Sequence, residues 1–249
     1  MASRILRVVF VLACFAGLTA SLPGAAQAEE PIRVLLLHGG HGFDRPNFFG
    51  MFDRLEGIRV TRAEFPAAAD RLKPGLEEEF DVIVTYDMVK GLTPEQHQAF
   101  DDLLKRGIGY VAIHHALGGR PEWEGYRHVL GGKWLWAEEE IDGKSYPRST
   151  WRHNEPIPVV VADTEHPITR GIDDFVITDE VYGGLYVSPD VHVLLRSEHP
   201  DCNPEIAWVT RYEGSPVFYL MLGHDNQAWS HPMYPKLVRR GIQWAHDSK

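Results

Sequence analysis

The sequence predicts an α/β fold in which a mainly parallel β-sheet carries helices on both faces. Short apolar runs, which are typical of buried strands, recur along the chain. Segments with helical periodicity lie between the apolar runs of the N-terminal half. Strands that alternate with helices in this way pair in parallel, and helices cover both faces of the sheet. Several runs also end in histidine or carboxylate side chains, which indicates a ligand crevice at the carboxyl ends of the strands.

The first three strands are predicted from apolar runs. Ile32 to Leu37 is short and apolar and opens into the glycine-rich loop His38 to Gly42. A helix from about Pro46 to Leu55 and a strand from Ile58 to Ala63 come next. After a connection that contains proline, Asp81 to Tyr86 supplies the third strand.

A capped helix precedes the fourth strand. Thr93 supplies an N-cap, Pro94 suits the first helical position, and Phe100 begins an apolar face. We expect this helix to end near Gly107. The strand Gly109 to Ile113 then runs directly into a pair of histidines.

The C-terminal half contains further strands and one clear helix. We predict strands at Val159 to Ala162, Phe175 to Thr178, Val191 to Ser197, Ile206 to Thr210 and Val217 to Leu222. The last element, Tyr234 to Ala245, carries apolar residues at near-helical spacing, so it is predicted to pack back on the sheet as a helix.

The N-terminus is typical of an export signal. Arg4 and Arg7 precede an apolar run from Val8 to about Ala20, and a small-residue exit follows, so we predict cleavage near Ala28. A permanent membrane anchor requires about 20 apolar residues, whereas Ser21 interrupts this run early. The protein is therefore expected in the periplasm or outside the cell, with no stable membrane anchor.

Residues Glu29 to Lys249 are predicted to form one domain, because their number suits one sizeable core. Cys202 is the single cysteine of this part, so no internal disulfide is expected to stabilise it. The formal charge is −10 for the whole chain and, without the two arginines of the signal, −12 for the mature part. Because no cluster of lysine and arginine occurs, nucleic acid is not expected as a partner.

Three residues that follow predicted strands are candidates for catalysis. His114 comes directly after the fourth strand, at the turn where α/β folds place a nucleophile. Histidine is no ordinary acyl-transfer nucleophile, so its uses there are metal ligation, proton transfer or hydrogen bonding to substrate. A buried histidine bonded to backbone is the structural alternative. His224 follows the strand that ends at Leu222, and Glu180 follows the strand that begins at Phe175.

Further residues near the strand ends are predicted to bind substrate. They are His41, Asp87, His115, His153 and Trp229. The role of Trp229 stays open at this point, since its ring could stack on a sugar or close the core.

A metal site would have to be assembled from distant segments, because no His-Glu-x-x-His or paired Cys-x-x-Cys motif occurs. The candidate ligands are His41, His114, Glu180 and His224, and imidazole with carboxylate suits zinc or a similar divalent ion. The loop Gly39 to Gly42 matches neither glycine-rich phosphate-binding pattern, so no nucleotide cofactor is expected.

Several segments occur in a specific order along nearly the whole mature chain. They are Leu36 to His41, Phe80 to Val84, Gly109 to His114, His166 to Ile172, Asp179 to Tyr182, Leu222 to Asp225 and Gly241 to Ala245. Together they resemble the trehalose-utilisation (ThuA-like) family.

The resemblance implies a flavodoxin-like sheet similar to that of class I glutamine amidotransferases. Those enzymes need a cysteine nucleophile at the turn where this chain has His114, so glutaminase activity is not expected. Members of the family are linked with sugar metabolism, which implies a carbohydrate or glycoside as ligand. Two hypotheses follow: an exported enzyme that hydrolyses or isomerises a carbohydrate, with or without a metal, and a non-catalytic carbohydrate-binding module.

Overall fold

The computed structural model describes residues 30–249, so the predicted signal peptide, residues 1–28, lies outside the described residues. A nine-stranded sheet is accompanied by two two-stranded sheets. The strands are β1 Ile32–Gly39, β2 Ile58–Glu64, β3 Val82–Asp87, β4 Gly109–Ile113, β5 Gly132–Lys133, β6 Glu139–Ile141, β7 Lys144–Tyr146, β8 Thr150–Val161, β9 Phe175–Gly183, β10 Tyr186–Val187, β11 His192–Ser197, β12 Glu205–Tyr212 and β13 Ser215–Leu220.

Six α-helices and two short 3₁₀ turns complete the described part of the chain. The helices are α1 Arg45–Asp53, α2 Leu76–Glu79, α3 Pro94–Leu104, α4 Tyr126–Leu130, α5 Asn226–Trp229 and α6 Met233–Asp247. The 3₁₀ turns are Ala69–Arg71 and His114–Gly118. None of the helices within residues 30–249 has the length and apolarity that crossing a bilayer requires.

The large sheet has a parallel half and an antiparallel half. Its first five strands, in the order β2-β1-β3-β4-β13, pair in parallel, which is the flavodoxin-like order. Beyond β13 the strands β12, β11, β8 and β9 pair antiparallel. The predicted α/β fold is therefore confirmed, and the antiparallel half extends the parallel sheet.

Helices cover both faces of the parallel half. A Cβ placed on Gly109 of β4 would lie 2.5 Å from the Ala245 carbonyl oxygen, so α6 packs against this face at backbone distance. The next residue, Tyr110, points to the opposite face because side chains alternate along a strand. There its ring contacts Phe100 of α3, and its hydroxyl lies 2.8 Å from that of Tyr126 in α4.

Strands β8 and β9 are longer than the strands that were predicted for these segments from their apolar runs. β11 pairs only with residues 159–161 of β8, whereas β9 continues along β8 as far as the pair Thr150 and Gly183. Residues 150–155 and 179–183 therefore form a two-stranded ribbon that extends beyond the main sheet. A break in register between Arg152 and Glu155 bends it. Glu180 consequently lies within a strand instead of after one.

A buried ion pair joins the end of β3 to the segment that follows the 3₁₀ turn 114–118. The guanidinium of Arg120 donates to both carboxylate oxygens of Asp87 at 3.0 and 3.3 Å, and both side chains are fully buried. The backbone of Arg120 also donates to the Val89 carbonyl at 2.7 Å. The pair thus holds the loop after β4 against the loop after β3.

Arg120→Met should lower the free energy of unfolding by about 3–5 kcal/mol, because it leaves the Asp87 carboxylate buried without its cation. Urea denaturation followed by circular dichroism measures the change. Arg196→Met is the matched control: it breaks a half-exposed pair with Glu205 and should cost less than about 1 kcal/mol. Equal losses in the two variants would contradict a special role for the buried pair.

Candidate functional site

The candidate site is centred on the turn that follows β4. His114 is fully buried and has a φ of 54°, a left-handed conformation that is uncommon outside glycine. Such strained positions concentrate at functional sites, since surrounding contacts must hold them. The backbone geometry thus agrees with the sharp turn predicted at this histidine.

One hydrogen bond determines the tautomer of His114. Its Nδ1 lies 2.6 Å from the backbone carbonyl oxygen of Met221, just after β13. A carbonyl oxygen can only accept, so Nδ1 must carry the proton and donate it. In the neutral ring, Nε2 therefore presents its lone pair to the site, as metal-binding histidines commonly do.

Three potential metal ligands meet at the Nε2 atom of His114. The carboxylate oxygen Oε2 of Glu180 lies 3.0 Å from it, and Nδ1 of His224 lies 3.1 Å from both atoms. The Tyr182 hydroxyl, 2.8 Å from Nε2, completes the contacts of this atom. We call His114, Glu180 and His224 the ligand triad.

The charge distribution of the triad favours an ionised carboxylate. Burial disfavours the charge of Glu180, but hydrogen bonds and charge interactions from His114 and His224, when these imidazoles are protonated, outweigh this effect, so the pKa of Glu180 falls well below its ordinary value. Burial lowers the pKa of His224, yet the neighbouring Glu180 raises it by more, and the net shift is upward. The site therefore concentrates negative charge that a cation or a proton must balance.

Asp179 holds the backbone that carries His224. Its carboxylate is fully buried and accepts hydrogen bonds from the backbone N–H groups of Gly223 at 2.6 Å and His224 at 2.9 Å. Gly223 has a φ of 123°, and a Cβ there would lie 2.3 Å from the Tyr234 hydroxyl. Glycine is therefore required at the turn that delivers His224.

A cavity of about 230 Å³ opens beside the triad. Its walls combine aromatic rings with imidazole and carboxylate groups. The lining residues are His41, Met88, His115, Gly118, Trp134, Trp136, Trp151, His153, Glu180 and Tyr182. Large aromatic surfaces with a few convergent polar groups are typical of small-molecule sites.

The ribbon 150–155 and 179–183 contributes one wall of this cavity. Trp151 and His153 share a face of β8 because side chains two apart point the same way, and Trp151 pairs with Tyr182 across the ribbon. The Nδ1 atom of His153 lies 3.0 Å from Oε1 of Glu180. The half-exposed His153 thus contacts the oxygen of Glu180 that the triad leaves free.

The structure brings six of the eight predicted site residues together around the cavity. His114, Glu180 and His224 converge directly, while His41, His115 and His153 line the cavity. His41 stacks on His115 with ring centroids 4.5 Å apart and does not belong to the ligand triad. Of the four predicted metal ligands, the structure therefore brings three close together, and His41 lies beside them in the cavity wall.

Two predicted substrate-binding residues lie away from the cavity. Asp87 is fully buried in its ion pair with Arg120. Trp229 is 3% exposed and donates its indole N–H to the Gly223 carbonyl at 2.8 Å, so its ring closes the core. Of the two roles left open from the sequence, the structure supports the core role for Trp229.

Sequence reasoning missed most of the aromatic wall. Tyr182 could have been found, because it stands two residues from Glu180 and therefore on the same strand face. Trp151 is likewise two residues from His153. Trp134 and Trp136 carry no such signal, since they lie in the irregular segment between β5 and β6.

Comparison with known proteins identifies the family. The model of the family described as trehalose utilisation (ThuA) matches residues 33–245. A comparison with curated proteins found no match.

Solved structures agree on the fold. A ThuA-like protein from Parabacteroides merdae has a TM-score of 0.72 and 16% identity, with 88% of this chain and 91% of that chain covered. A ThuA-like protein from Bacteroides uniformis has a TM-score of 0.65 and 19% identity, with coverage of 89% and 94%. A protein described as part of a GMP synthase, from Thermoplasma acidophilum, has a TM-score of 0.51 and 8% identity, with coverage of 88% and 96%.

These structures share the architecture of this chain. At such low sequence identity, the similarity shows the fold and nothing about function. The family match, in contrast, spans most of the chain. The protein is therefore a member of the trehalose-utilisation (ThuA) family.

Proposed function

We propose that the protein is an enzyme that acts on a carbohydrate in this cavity, with a divalent metal ion held by His114, Glu180 and His224. The convergence of three ligand atoms within 3.0–3.1 Å of one another carries the proposal. The three residues come from distant parts of the chain, so local sequence cannot account for their meeting.

The triad suits a transition ion such as zinc. Two imidazole nitrogens and one carboxylate oxygen are the donors that zinc accepts, at about 2.0–2.2 Å each. His114 is oriented by the Met221 carbonyl, and the lone pairs crowded around Nε2 require a positive charge between them. When bound, a divalent ion acts as a Lewis acid toward a carbonyl or hydroxyl oxygen of the substrate.

The walls of the cavity favour a sugar. Tryptophan and tyrosine rings offer flat apolar surfaces to the C–H faces of a sugar ring, while His41, His115 and Glu180 offer polar partners to its hydroxyls. The family name, trehalose utilisation, supports the same class of ligand.

The arrangement favours metal-assisted hydrolysis or isomerisation over the usual glycosidase mechanism. Glycosidases generally need two carboxyl groups that flank the scissile bond. Among the described cavity-lining residues, Glu180 is the single carboxylate, and the neighbouring Asp179 is saturated by backbone N–H groups. When no ion is bound, His224 and Glu180 are the groups to which we assign proton transfer; when the ion is bound, they are its ligands.

Tyr182 is assigned a supporting role in proton placement. Burial and the charge of Glu180 raise the pKa of Tyr182 well above its ordinary value, so the hydroxyl stays protonated. Its O–H therefore donates to the Nε2 atom of His114, 2.8 Å away, while no ion occupies the lone pair of that nitrogen.

The rival function is a carbohydrate-binding module that uses the same cavity without turnover. For either function we place the protein in the periplasm or outside the cell, on the basis of the signal-like sequence from Arg4 to Ala28.

The purified protein, residues 29–249, should bind one Zn²⁺ per chain. His114→Asn, which tolerates the left-handed backbone, and Glu180→Gln should each weaken binding by more than about 100-fold, since even loss of an outer partner costs 10–100-fold. Isothermal titration calorimetry with Zn²⁺ measures the affinity. His192→Ala, at an exposed histidine paired with Asp163, is the control and should bind normally. Equal affinity in all variants would rule out the triad.

Asp179→Asn should weaken Zn²⁺ binding by about 10–100-fold, because an amide cannot accept both backbone N–H groups that position His224 as well as a carboxylate does. The same titration reports the change, and circular dichroism checks that the variant is folded. A folded Asp179→Asn protein with unchanged affinity would show that Asp179 does not position the ligand.

Glu180→Gln should reduce turnover by about 10²–10⁴-fold, the usual contribution of a positioned acid or base. The assay incubates neutral sugars and glycosides with the protein in D₂O and follows them by NMR. New reducing ends indicate hydrolysis, and deuterium next to a carbonyl indicates isomerisation. Binding of a sugar without either product would favour the binding module.

A further inference from the structure

We propose that the cavity accepts one terminal, neutral sugar ring, and that Trp151 at its mouth stacks on the adjoining ring of the substrate. The inference rests on the proposed carbohydrate function and specifies the substrate class of the same site. It follows from the volume of the cavity, the exposure of its tryptophans and the charges of its lining.

The volume limits the occupant to a single ring. Cavities that enclose whole drug-sized ligands measure about 300–1,000 Å³, whereas this one measures about 230 Å³. His115 and Glu180, which are 4% and 5% exposed, are among the most deeply buried of its lining residues. A second ring must therefore remain outside, next to residues at the mouth.

Trp151 is the residue placed to receive that second ring. Its side chain is 49% exposed although it also lines the cavity. Trp136, the other exposed tryptophan of the lining, has the ammonium group of Lys90 3.5 Å from its ring centre, which covers one face. Trp134 is buried and packs against Tyr182. Trp151 thus offers the free aromatic surface at the mouth.

Buried polar atoms beside the cavity call for a hydroxylated ligand. Within the described residues, the indole N–H of Trp134 and both ring nitrogens of His115 are buried and have no hydrogen-bond partner. Leaving such groups unpaired is costly, by about 1–3 kcal/mol each. A ring that carries several hydroxyls supplies both donors and acceptors for them, which a purely apolar ligand does not.

The lining charges favour a neutral sugar over an acidic one. Recognition of a carboxylate or phosphate normally uses arginine or lysine. Neither residue type is among the lining residues within the described part of the chain, and the carboxylate that does line the cavity there is that of Glu180. Lys90, near the mouth, is engaged with the Trp136 ring.

The test is calorimetric titration of residues 29–249 with glucose, galactose and mannose, their disaccharides and linear trisaccharides, the matching uronic acids, and cyclodextrins. For the sugar that binds, the disaccharide should bind about 3- to 10-fold more tightly than the monosaccharide, the gain expected from one aromatic stacking contact. A third ring should add nothing further. Uronic acids and cyclodextrins, which have no terminal ring, should not bind.

Trp151→Ala should weaken binding of the disaccharide more than binding of the monosaccharide, so that the advantage of the disaccharide is lost. Trp151→Phe should restore most of the advantage, because the aromatic face returns. Val176→Ala, at an exposed apolar residue of β9 that does not line the cavity, is the control and should behave as the unaltered protein.

Each remaining outcome overturns a defined part of the proposal. Equal loss of monosaccharide and disaccharide affinity in Trp151→Ala would show that Trp151 does not stack on a second ring at the mouth. Tight binding of cyclodextrin would exclude terminal recognition, and tight binding of a uronic acid would exclude neutral specificity. If no sugar binds, the carbohydrate function itself fails, which is distinct from failure of this inference alone.

Discussion

The hydrogen bond between His114 Nδ1 and the Met221 carbonyl is the constraint on which the site depends. It ties the end of β4 to the end of β13, two adjacent parallel strands, and it leaves Nε2 as the free nitrogen of a neutral ring. The left-handed backbone of His114 then turns this nitrogen toward the ribbon. Without that bond, either ring nitrogen could hold the proton and the triad would lose its defined acceptor.

The two halves of the sheet contribute different parts of the candidate site. The parallel half supplies the rigid turn after β4 and the loop after β13, where ligands bind in open α/β sheets. The antiparallel half supplies Glu180 and Tyr182 from β9, which is the far edge strand of the sheet. In a flat sheet β9 would lie five strand spacings from β4, or roughly 24 Å. The carboxylate of Glu180 nonetheless lies 3.0 Å from His114 Nε2, so the antiparallel half cannot lie flat beside the parallel half.

The surroundings of the triad combine two kinds of buried polarity. The carboxylates of Asp87 and Asp179 accept several hydrogen bonds each, from Arg120 and from backbone N–H groups, and they hold the loops that carry the site. The polar groups that face the cavity have fewer hydrogen-bond partners, and a ligand can supply the missing hydrogen bonds. The two supporting carboxylates are thus fully engaged, whereas imidazole and indole groups of the lining keep hydrogen-bonding capacity for a ligand.

Local sequence determined the alternation of strands and helices, the Thr93 cap of α3, the placement of His114 directly after β4 and that of His224 in the loop after β13. These features depend on periodicity and on neighbours in the chain. Tertiary structure alone decided that Trp229 closes the core and that Trp134 and Trp136 line the cavity. It also decided that the triad excludes His41. The physical reason is that these positions depend on contacts between distant segments, such as the pairing of β8 with β9 and its register break, which produce no periodic pattern in the sequence.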